Sequence, residues 1–299
     1  MQVSIAYHPP GVTYNGLHAT TAPTSQQVID DLALTKQHFE CVRTYYPQFN
    51  GGAVDVGQIT YNVGLKVLIS LFLFDGHPDW IESNYVQFLK PAVARGNVVG
   101  VLIGNEDPDM LAAIIQYLQK AKQDFPQTPV STAQTTGFWL TDPRASQVLP
   151  LVDFVAVNIY PEWNWASPNA ANQPVNSGQS VTPEQGFASF QQTYNQVANK
   201  YAGKAVVVTE TGWPTTYGCV AGADACGASV PPPTQFPDGI ANAGKYLNLV
   251  KGWAQDPARL VNVYFHNMFD DLHAVNTSSL FNYHFGLIDH SGRAKGVLF

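Results

Sequence analysis

Residues 98–106 read VVGVLIGNE, and residues 205–211 read AVVVTET. Each stretch is a run of branched apolar residues that leads to a glutamate, Glu106 in the first and Glu210 in the second. Apolar runs without strict alternation are typical of strands covered on both faces, as in a parallel sheet. A charged side chain seldom lies at the end of such a strand without a partner or a function. The two stretches therefore predict buried parallel strands, each with an acid at its carboxyl end.

Six further apolar runs accompany these two, and segments of helical periodicity lie between them. The predicted strands are Val3–Tyr7, Cys41–Tyr45, Lys66–Leu73, Val98–Ile103, Pro129–Ala133, Phe154–Ile159, Ala205–Thr209 and Leu260–Phe265. The predicted helices include Ser25–Phe39, Trp80–Val93, Asp109–Asp124, Pro183–Tyr201 and Ile240–Trp253, with Thr24 or Ser25 capping the first and Thr182 the fourth. Eight strands in βαβα order predict an α/β fold, a closed (β/α)8 TIM barrel, with an open doubly wound sheet as the alternative.

The length of the chain fits one domain. A (β/α)8 barrel needs about 250 residues, and the chain has 299 residues with no repeat or interdomain linker. We therefore expect a single (β/α)8 catalytic domain over residues 1–299, with a short or degenerate last helix because residues 267–299 lack a clear helical pattern. Long polar loops, residues 160–180 and 211–236, follow predicted strands six and seven, at the face where barrel active sites assemble.

The composition restricts the class of partner. Charged residues make up 12% of the chain, hydrophobic residues 45%, and the formal net charge is -7. Because no basic stripe is present, nucleic acid is not an expected partner. No run approaches the ~20 apolar residues of a membrane span. A surface of neutral hydrogen-bonding groups suits an extracellular protein that meets uncharged polymers.

The N-terminus and the cysteines bear on the compartment. The sequence enters a strand pattern at once, with no basic start and no apolar signal region. The protein is therefore either cytosolic or secreted after removal of a signal, and the composition and the acceptor sequon at Asn276 favour a secreted or cell-wall location. In an oxidising compartment Cys219 and Cys226 could form a local disulfide, whereas Cys41 is predicted to be buried in a strand.

The two glutamates match the needs of glycosidic bond cleavage. A retaining enzyme uses one protonated carboxyl as the acid and one carboxylate as the nucleophile. Predicted strands four and seven face one another across an eight-stranded barrel, which leaves a central gap for a sugar ring. The nearby negative charge raises the pKa of the acid, so that it holds its proton near neutral pH. Either glutamate alone could be a salt-bridged rim residue, but together they predict a glycosidase.

The segments around the two glutamates resemble a known family. Gly-Asn-Glu at residues 104–106 and Glu-Thr-Gly-Trp-Pro at residues 210–214 are similar to family 17 of the glycoside hydrolases, the β-1,3-glucanase family. The resemblance continues at residues 42–45, 157–161 and 285–288. In length and ending the chain is closer to the short fungal and bacterial members, which include enzymes that transfer glucan chains.

The resemblance implies a role for each matching residue. Glu106 would be the acid/base and Glu210 the nucleophile, while Asn105 would hydrogen-bond the 2-hydroxyl of the sugar being cleaved. Tyr160 would donate to Glu210, and Arg43 would orient the same carboxylate; a plain interface hydrogen bond and a structural salt bridge are the alternatives. The other residues assigned to substrate binding are Tyr45, Asn158, Trp163, Trp165, Trp213, Phe269 and Asp271.

Aromatic residues in the loops are candidates for stacking on sugar rings. Trp163 and Trp165 are the strongest, because they follow the Tyr160 position directly. For Trp213, which directly follows Gly212, packing within the fold is favoured over stacking. Asp271 is an acid retained where the plant members carry an acid, a lysine and a later glutamate; the lysine and the glutamate have no clear counterpart here.

The function predicted from the resemblance is a retaining glycosidase that acts on β-1,3-glucan or laminari-oligosaccharides as a monomer. The glycosyl unit would pass to a glucan acceptor or to water. The same chemistry on β-1,4- or β-1,6-glucan, and a lapsed carbohydrate-binding barrel, are the alternatives. The histidines lack metal-ligand spacing, and no phosphate-binding glycine-rich loop is apparent, so neither a metal nor a cofactor is expected.

Overall fold

The fold is a closed barrel of eight parallel strands, as the sequence predicts. The computed structural model describes residues 3–18, 22–73, 77–161, 182–217, 234–235, 239–272, 284–289 and 292–296. Each barrel strand pairs with the next along the chain, and the last pairs with the first. The strands are β1 (Gly11–Tyr14), β2 (Cys41–Thr44), β3 (Lys66–Leu71), β4 (Val98–Asn105), β5 (Val130–Thr135), β6 (Phe154–Asn158), β7 (Ala205–Thr211) and β8 (Val263–Phe265).

Helices surround the barrel and cover the outer faces of its strands. They are α1 (Ser25–His38), α2 (Val56–Asn62), α3 (Pro78–Asn84), α4 (Lys90–Ala94), α5 (Leu111–Asp124), α6 (Thr136–Thr141), α7 (Ala145–Val148), α8 (Pro183–Lys200) and α9 (Gly239–Ala254). Thr24 and Thr182 cap α1 and α8, each with a reciprocal bond from the glutamine three residues later. This capping box satisfies amide groups that have no partner inside the helix. Helices α2, α6 and α7 were not predicted, because they are short.

The first barrel strand differs from the prediction. Residues 3–8 form no strand; Val3 donates to Asp153, and Ile5 packs against the apolar residues that fill the barrel interior. The strand is Gly11–Tyr14, directly after two prolines. A Cβ on Gly11 would lie 2.7 Å from the carbonyl oxygen of Cys41, so only glycine fits there. The Pro-Pro-Gly sequence is typical of a turn and not of a strand. The sequence pattern therefore did not predict β1, whose position is set by tertiary packing.

The strand ends also differ from the predicted ones, and this matters for the site. Strand β4 continues to Asn105, and β7 continues to Thr211, so Glu210 lies inside β7. Strand β8 is shorter than predicted. The predicted helix Trp80–Val93 is α3 and α4 with a π-helical turn between them. In the described segments after β8 no α-helix occurs, and the other residues of the predicted last helical region lie outside the described residues.

The barrel interior is apolar under the carboxyl ends of the strands. A cluster of buried side chains fills it, namely Cys41, Leu68, Leu102, Ala133, Phe154, Ala156, Val207 and Tyr264. Cys41 is free and buried in β2, as predicted. Directly beyond this layer the inward residues become polar, beginning with Arg43 and Thr209, both fully buried. Among the described helices, none is long and apolar enough to cross a membrane.

Candidate active site

Glu210 on β7 is a buried carboxylate held by three donors. Arg43 Nη1 lies 2.7 Å and the Tyr45 hydroxyl 2.9 Å from Oε1, and the Tyr160 hydroxyl lies 2.7 Å from Oε2. Burial alone would raise the pKa of Glu210. The charge of Arg43 and the hydrogen bonds from the two tyrosines outweigh burial and lower this pKa below its ordinary value, and a protonated His266 would lower it further. Glu210 is therefore kept ionised.

Arg43 is a fully buried guanidinium that links three groups of the site. Besides Glu210, it donates from Nη2 to Asn105 Oδ1 at 2.6 Å and from Nη1 to the carbonyl oxygen of Thr209 at 3.0 Å. A guanidinium can only donate, so it fixes the amide of Asn105 with Oδ1 inward. The Nδ2 group of Asn105 is then left to donate elsewhere. Arg43 has no exposed surface, so its contacts are with the groups of the site, which fits the expected role of orienting the Glu210 carboxylate.

Glu106 follows the last residue of β4 in an unusual backbone conformation. Its φ is 56°, in the left-handed region. A non-glycine residue there costs on the order of 1–3 kcal/mol, and such strain concentrates at functional sites. A hydrogen bond from the Glu106 amide to the Ala133 carbonyl, 2.9 Å long, holds this turn against β5. The backbone of the barrel thus fixes the position and direction from which the Glu106 side chain extends.

The hydrogen bonds of Glu106 determine which of its oxygens carries the proton. Asn158 Oδ1 accepts from the Thr209 hydroxyl at 2.7 Å, which leaves Asn158 Nδ2 to donate to Glu106 Oε1 at 2.8 Å. An oxygen that accepts from an amide N–H does not direct a proton of its own at that donor. The carbonyl oxygen of a protonated carboxyl group is its stronger acceptor, so the hydrogen bond from Asn158 favours Oε1 as the carbonyl oxygen and Oε2 as the oxygen that carries the proton.

The pKa of Glu106 is raised to about 7, in contrast to that of Glu210. Burial among the surrounding residues is the main cause, and the charge of Glu210 is the second. By its accessible surface Glu106 is exposed, so its carboxyl group faces solvent at the carboxyl ends of the strands although many protein atoms surround it; we call this open face the cleft. Two neighbouring carboxyl groups with pKa values pushed apart can act as an acid and a nucleophile.

The raised pKa predicts how stability depends on pH. The protonated Glu106 contributes stability below its ordinary pKa of 4.5, and this contribution is lost as pH rises towards about 7. In the variant Glu106→Gln the amide keeps the acceptor for Asn158 and cannot ionise. We expect the melting temperature of Glu106→Gln to exceed that of the wild type by more at pH 8 than at pH 4.5. Differential scanning calorimetry at both pH values measures this.

The control for this comparison is Glu40→Gln, which removes an exposed carboxylate outside the cleft. It should shift the melting temperature little and similarly at both pH values, because surface substitutions are usually within about 0.5 kcal/mol. An equal effect of Glu106→Gln at both pH values would contradict the raised pKa.

Two aromatic residues assigned to substrate binding pack within the fold. The Trp213 ring contacts Gly186 of α8 and lies with its centroid 5.2 Å from that of Tyr246 of α9. Phe269 is 4% exposed and stacks on His18 at 4.4 Å. Both rings therefore make packing contacts within the fold, and Phe269 is buried whereas Trp213 is partly exposed.

The remaining assigned residues divide into two groups. Tyr45, Asn158 and Tyr160 converge on the two glutamates as described. Asp271 is buried and accepts from Asn15 Nδ2 at 2.9 Å, in the segment that follows β8. The assignments of stacking to Trp163 and Trp165, of a disulfide to Cys219 and Cys226, and of a sequon at Asn276 lie outside the described residues.

The sequence reasoning missed His266, which directly follows β8. Its Nδ1 lies 3.2 Å from the Tyr45 hydroxyl and 3.1 Å from the Thr13 hydroxyl. The signal was available, since His266 is a polar residue at the carboxyl end of a strand, as Glu106 is. Thr13 was missed because β1 was misplaced. Over the described part of the chain no group of three or more His, Cys, Asp or Glu could hold a metal ion.

The comparison with known proteins agrees with this geometry. Residues 11–286 match the family model of the BtgE/BtgC glycoside hydrolase domain. A protein of Aspergillus flavus named probable beta-glucosidase btgE is 26% identical over 224 residues, 69% of this chain. The chain spans 34% of the length of that relative.

Two solved structures share the fold. The family 17 β-1,3-glucanosyltransferase of Rhizomucor miehei superposes with a TM-score of 0.69 at 22% identity, over 97% of this chain and 96% of that one. An endo-laminarinase from Formosa superposes with a TM-score of 0.70 at 15% identity, over 97% and 86%. The family model covers nearly the whole barrel, and the chain accordingly belongs to the BtgE/BtgC glycoside hydrolase domain family.

Proposed function

We propose that this domain is a retaining glycosidase that acts on β-1,3-glucan, with Glu210 as the nucleophile and Glu106 as the acid/base. The observation that carries the proposal is the contrast between the surroundings of the two carboxyl groups. Three donors keep Glu210 ionised, whereas burial together with the charge of Glu210 raises the pKa of Glu106 to about 7, so that its protonated form is present near neutral pH. A double displacement needs this combination at its start.

In the first step the hydrogen bonds select the attacking oxygen. Glu210 Oε1 accepts from both Arg43 and Tyr45, which uses its two lone pairs, whereas Oε2 accepts from Tyr160 alone. Oε2 therefore keeps one lone pair for the anomeric carbon. As the bond from Oε2 to this carbon forms, the bond to the leaving oxygen breaks. That oxygen takes the proton from Glu106 Oε2.

In the second step Glu106 acts as the base. Its carboxylate removes a proton from water or from a glucan hydroxyl, and the resulting oxygen attacks the anomeric carbon. The ester bond to Glu210 then breaks, and Arg43 and the two tyrosines stabilise the carboxylate that leaves. Asn105 Nδ2, which Arg43 leaves free to donate, is positioned to bind the 2-hydroxyl in both transition states.

The substrate is proposed from the relatives, since the site chemistry is common to many sugars. One structure of the Rhizomucor miehei enzyme holds laminaritriose, a β-1,3-linked trisaccharide. The low share of charged residues, 12%, fits an uncharged polymer. We propose a secreted or cell-wall enzyme that acts as a monomer, with the barrel as one catalytic domain. A glucan acceptor competes with water for the glycosyl-enzyme.

Product analysis on laminari-oligosaccharides of four to six units tests this proposal. We expect shorter oligosaccharides by mass spectrometry, and species longer than the substrate if a glucan acceptor reaches the intermediate before water. Oligomers of equal length with β-1,4 or β-1,6 linkages should be cleaved at least about tenfold more slowly, which is a difference of about 1.4 kcal/mol in transition-state binding.

The outcomes separate the competing assignments. Preferential cleavage of β-1,4- or β-1,6-linked oligomers would contradict the proposed substrate and support the proposed chemistry. Release of glucose alone would indicate action at the chain end, as the name of the Aspergillus relative suggests for that protein. If the folded protein cleaves none of the oligomers, the proposed enzyme activity is wrong and the alternative of a carbohydrate-binding barrel is supported. The variant Glu210→Ala serves as the inactive control.

A further inference from the structure

We infer that His266 is a positioning residue that has two separate tasks. Its Nδ1–H donates to the phenolic oxygen of Tyr45, so that the Tyr45 hydroxyl keeps its hydrogen bond directed at Glu210. Its Nε2 is a bare acceptor for a hydroxyl group of the sugar bound next to Glu210. The second task rests on the proposed function, whereas the first does not depend on any substrate.

The Tyr45 hydroxyl already donates its hydrogen bond to Glu210. The Tyr45 hydroxyl lies 2.9 Å from Glu210 Oε1 and 3.2 Å from His266 Nδ1. A hydrogen bond to an ionised carboxylate is shorter and stronger than one to a neutral ring nitrogen. The hydroxyl has one proton, so towards His266 the phenolic oxygen can only accept.

The Thr13 hydroxyl likewise donates its hydrogen bond to Asn267. The Thr13 hydroxyl lies 3.1 Å from Asn267 Oδ1. The backbone N–H of Met268 donates to the same Oδ1 at 2.8 Å, which fixes the orientation of the Asn267 amide. Because Oδ1 can only accept, the hydroxyl of Thr13 donates to it. Towards His266 Nδ1, 3.1 Å away, the Thr13 oxygen is therefore an acceptor too.

These two acceptors determine the tautomer of His266. Nδ1 faces two oxygens whose protons point elsewhere, so Nδ1 must carry the hydrogen. In a neutral imidazole the other nitrogen, Nε2, is then an acceptor. The hydrogen bonds of His266 are all made through Nδ1 in the described part of the chain, and the side chain is only partly buried. Nε2 can therefore receive a hydroxyl from the cleft.

The surroundings favour the neutral ring. Tyr160 and Phe285 pack against it edge to face, at 5.9 and 5.4 Å between centroids. Burial lowers the pKa of His266, the charge of Glu210 acts in the opposite direction, and that of Arg43 lowers it further. The titratable and charged groups facing the ring are thus Glu210, Arg43, Tyr45 and Tyr160. A neutral His266 leaves Arg43 as the charge that neutralises Glu210.

Two amide variants separate the two tasks, because His266→Asn places its NH2 donor near the Nδ1 position, whereas His266→Gln places its amide oxygen, an acceptor, near the Nε2 position. His266→Asn keeps a donor near the Nδ1 position and loses Nε2. His266→Gln reaches the Nε2 position and loses the donor to Tyr45. His266→Phe loses both groups. The readouts are kcat, KM and the pH dependence of kcat/KM on a laminari-oligosaccharide, and His38→Asn at the exposed end of α1 is the matched control.

We expect His266→Asn to keep the acidic limb of the wild-type profile and to raise KM about tenfold, the effect of one lost hydrogen bond in a desolvated site. His266→Gln should move the acidic limb to higher pH and lower kcat about tenfold, because Tyr45 holds Glu210 less firmly. His266→Phe should show both effects, and His38→Asn neither. Equal profiles for His266→Asn and His266→Gln would overturn the separation of tasks.

A measurement without substrate keeps the first task testable if no glycoside is cleaved. Nitrogen NMR of the histidine-labelled protein at pH 7.5 should show His266, identified by loss of its signals in His266→Asn, with hydrogen on Nδ1 and a bare Nε2. Hydrogen on Nε2 instead would overturn the inference. Addition of laminaritriose to Glu106→Gln should shift the Nε2 signal; if the tautomer is as expected and this signal does not move, the second task is wrong.

Discussion

Replacing Glu210 with alanine is expected to reduce turnover on every glycoside by roughly 10⁴-fold or more, whatever the leaving group, the range seen when a central catalytic group is removed. Without the carboxylate no glycosyl-enzyme can form, and no part of the first step is spared for an activated substrate. Rates with a laminari-oligosaccharide and with a dinitrophenyl β-glycoside should therefore fall together. Steady-state kinetics on both substrates measures this.

The same substitution also bears on stability. Glu210 neutralises the buried Arg43 at 2.7 Å, and removing one partner of a buried pair costs about 3–5 kcal/mol. Glu210→Gln is therefore the second variant, because it keeps the side-chain volume and one oxygen that accepts hydrogen bonds but lacks the nucleophilic carboxylate. It should be as inactive as Glu210→Ala. A Glu210→Gln variant that forms a glycosyl-enzyme would contradict the assignment.

Replacing Glu106 with alanine is expected to affect substrates unequally. Poor leaving groups lose the proton donor and should react about 10²–10⁴-fold more slowly, the usual contribution of general acid catalysis. A dinitrophenolate needs no proton, so the first step on that substrate should be nearly unchanged. The second step then lacks its base, so the glycosyl-enzyme should accumulate, visible as a burst of phenolate followed by slow turnover.

Azide provides the control for this variant. It needs no general base, so it should restore steady turnover of the dinitrophenyl glycoside in Glu106→Ala and leave the wild type unaffected. Equal losses for good and poor leaving groups, with no burst, would contradict the role of Glu106 as the acid/base.

The positions of the two glutamates followed from the fold that the sequence predicts. Glu106 and Glu210 are acids at the carboxyl ends of apolar strands, and in a parallel barrel all such ends meet at one face. Tyr160, Arg43 and Asn105 were assigned through the resemblance, and the structure brings all three to the glutamates. Which carboxylate oxygen each donor contacts depends on side-chain geometry, and this cannot be predicted from the sequence pattern.

Where the sequence failed, tertiary packing overrode local pattern. Residues 3–7 have strand propensity but form no strand, whereas Gly11–Tyr14 forms β1 because a glycine fits against Cys41. That error concealed Thr13 and, with it, the partner of His266. For Trp213 and Phe269 the sequence left both packing and stacking on sugar open, because aromatic residues near a cleft serve both, and only the neighbouring side chains distinguish the two.

The configuration of the azide product tests the assignment of the two glutamates most directly. In Glu106→Ala the glycosyl group is attached to Glu210 in the α configuration, and azide attacks from the opposite face. Proton NMR of the product from a β-glycoside should therefore show the β-glycosyl azide. The α-glycosyl azide from this variant would mean that azide had displaced the leaving group of the substrate directly, and that the nucleophile and the acid/base have been assigned in reverse.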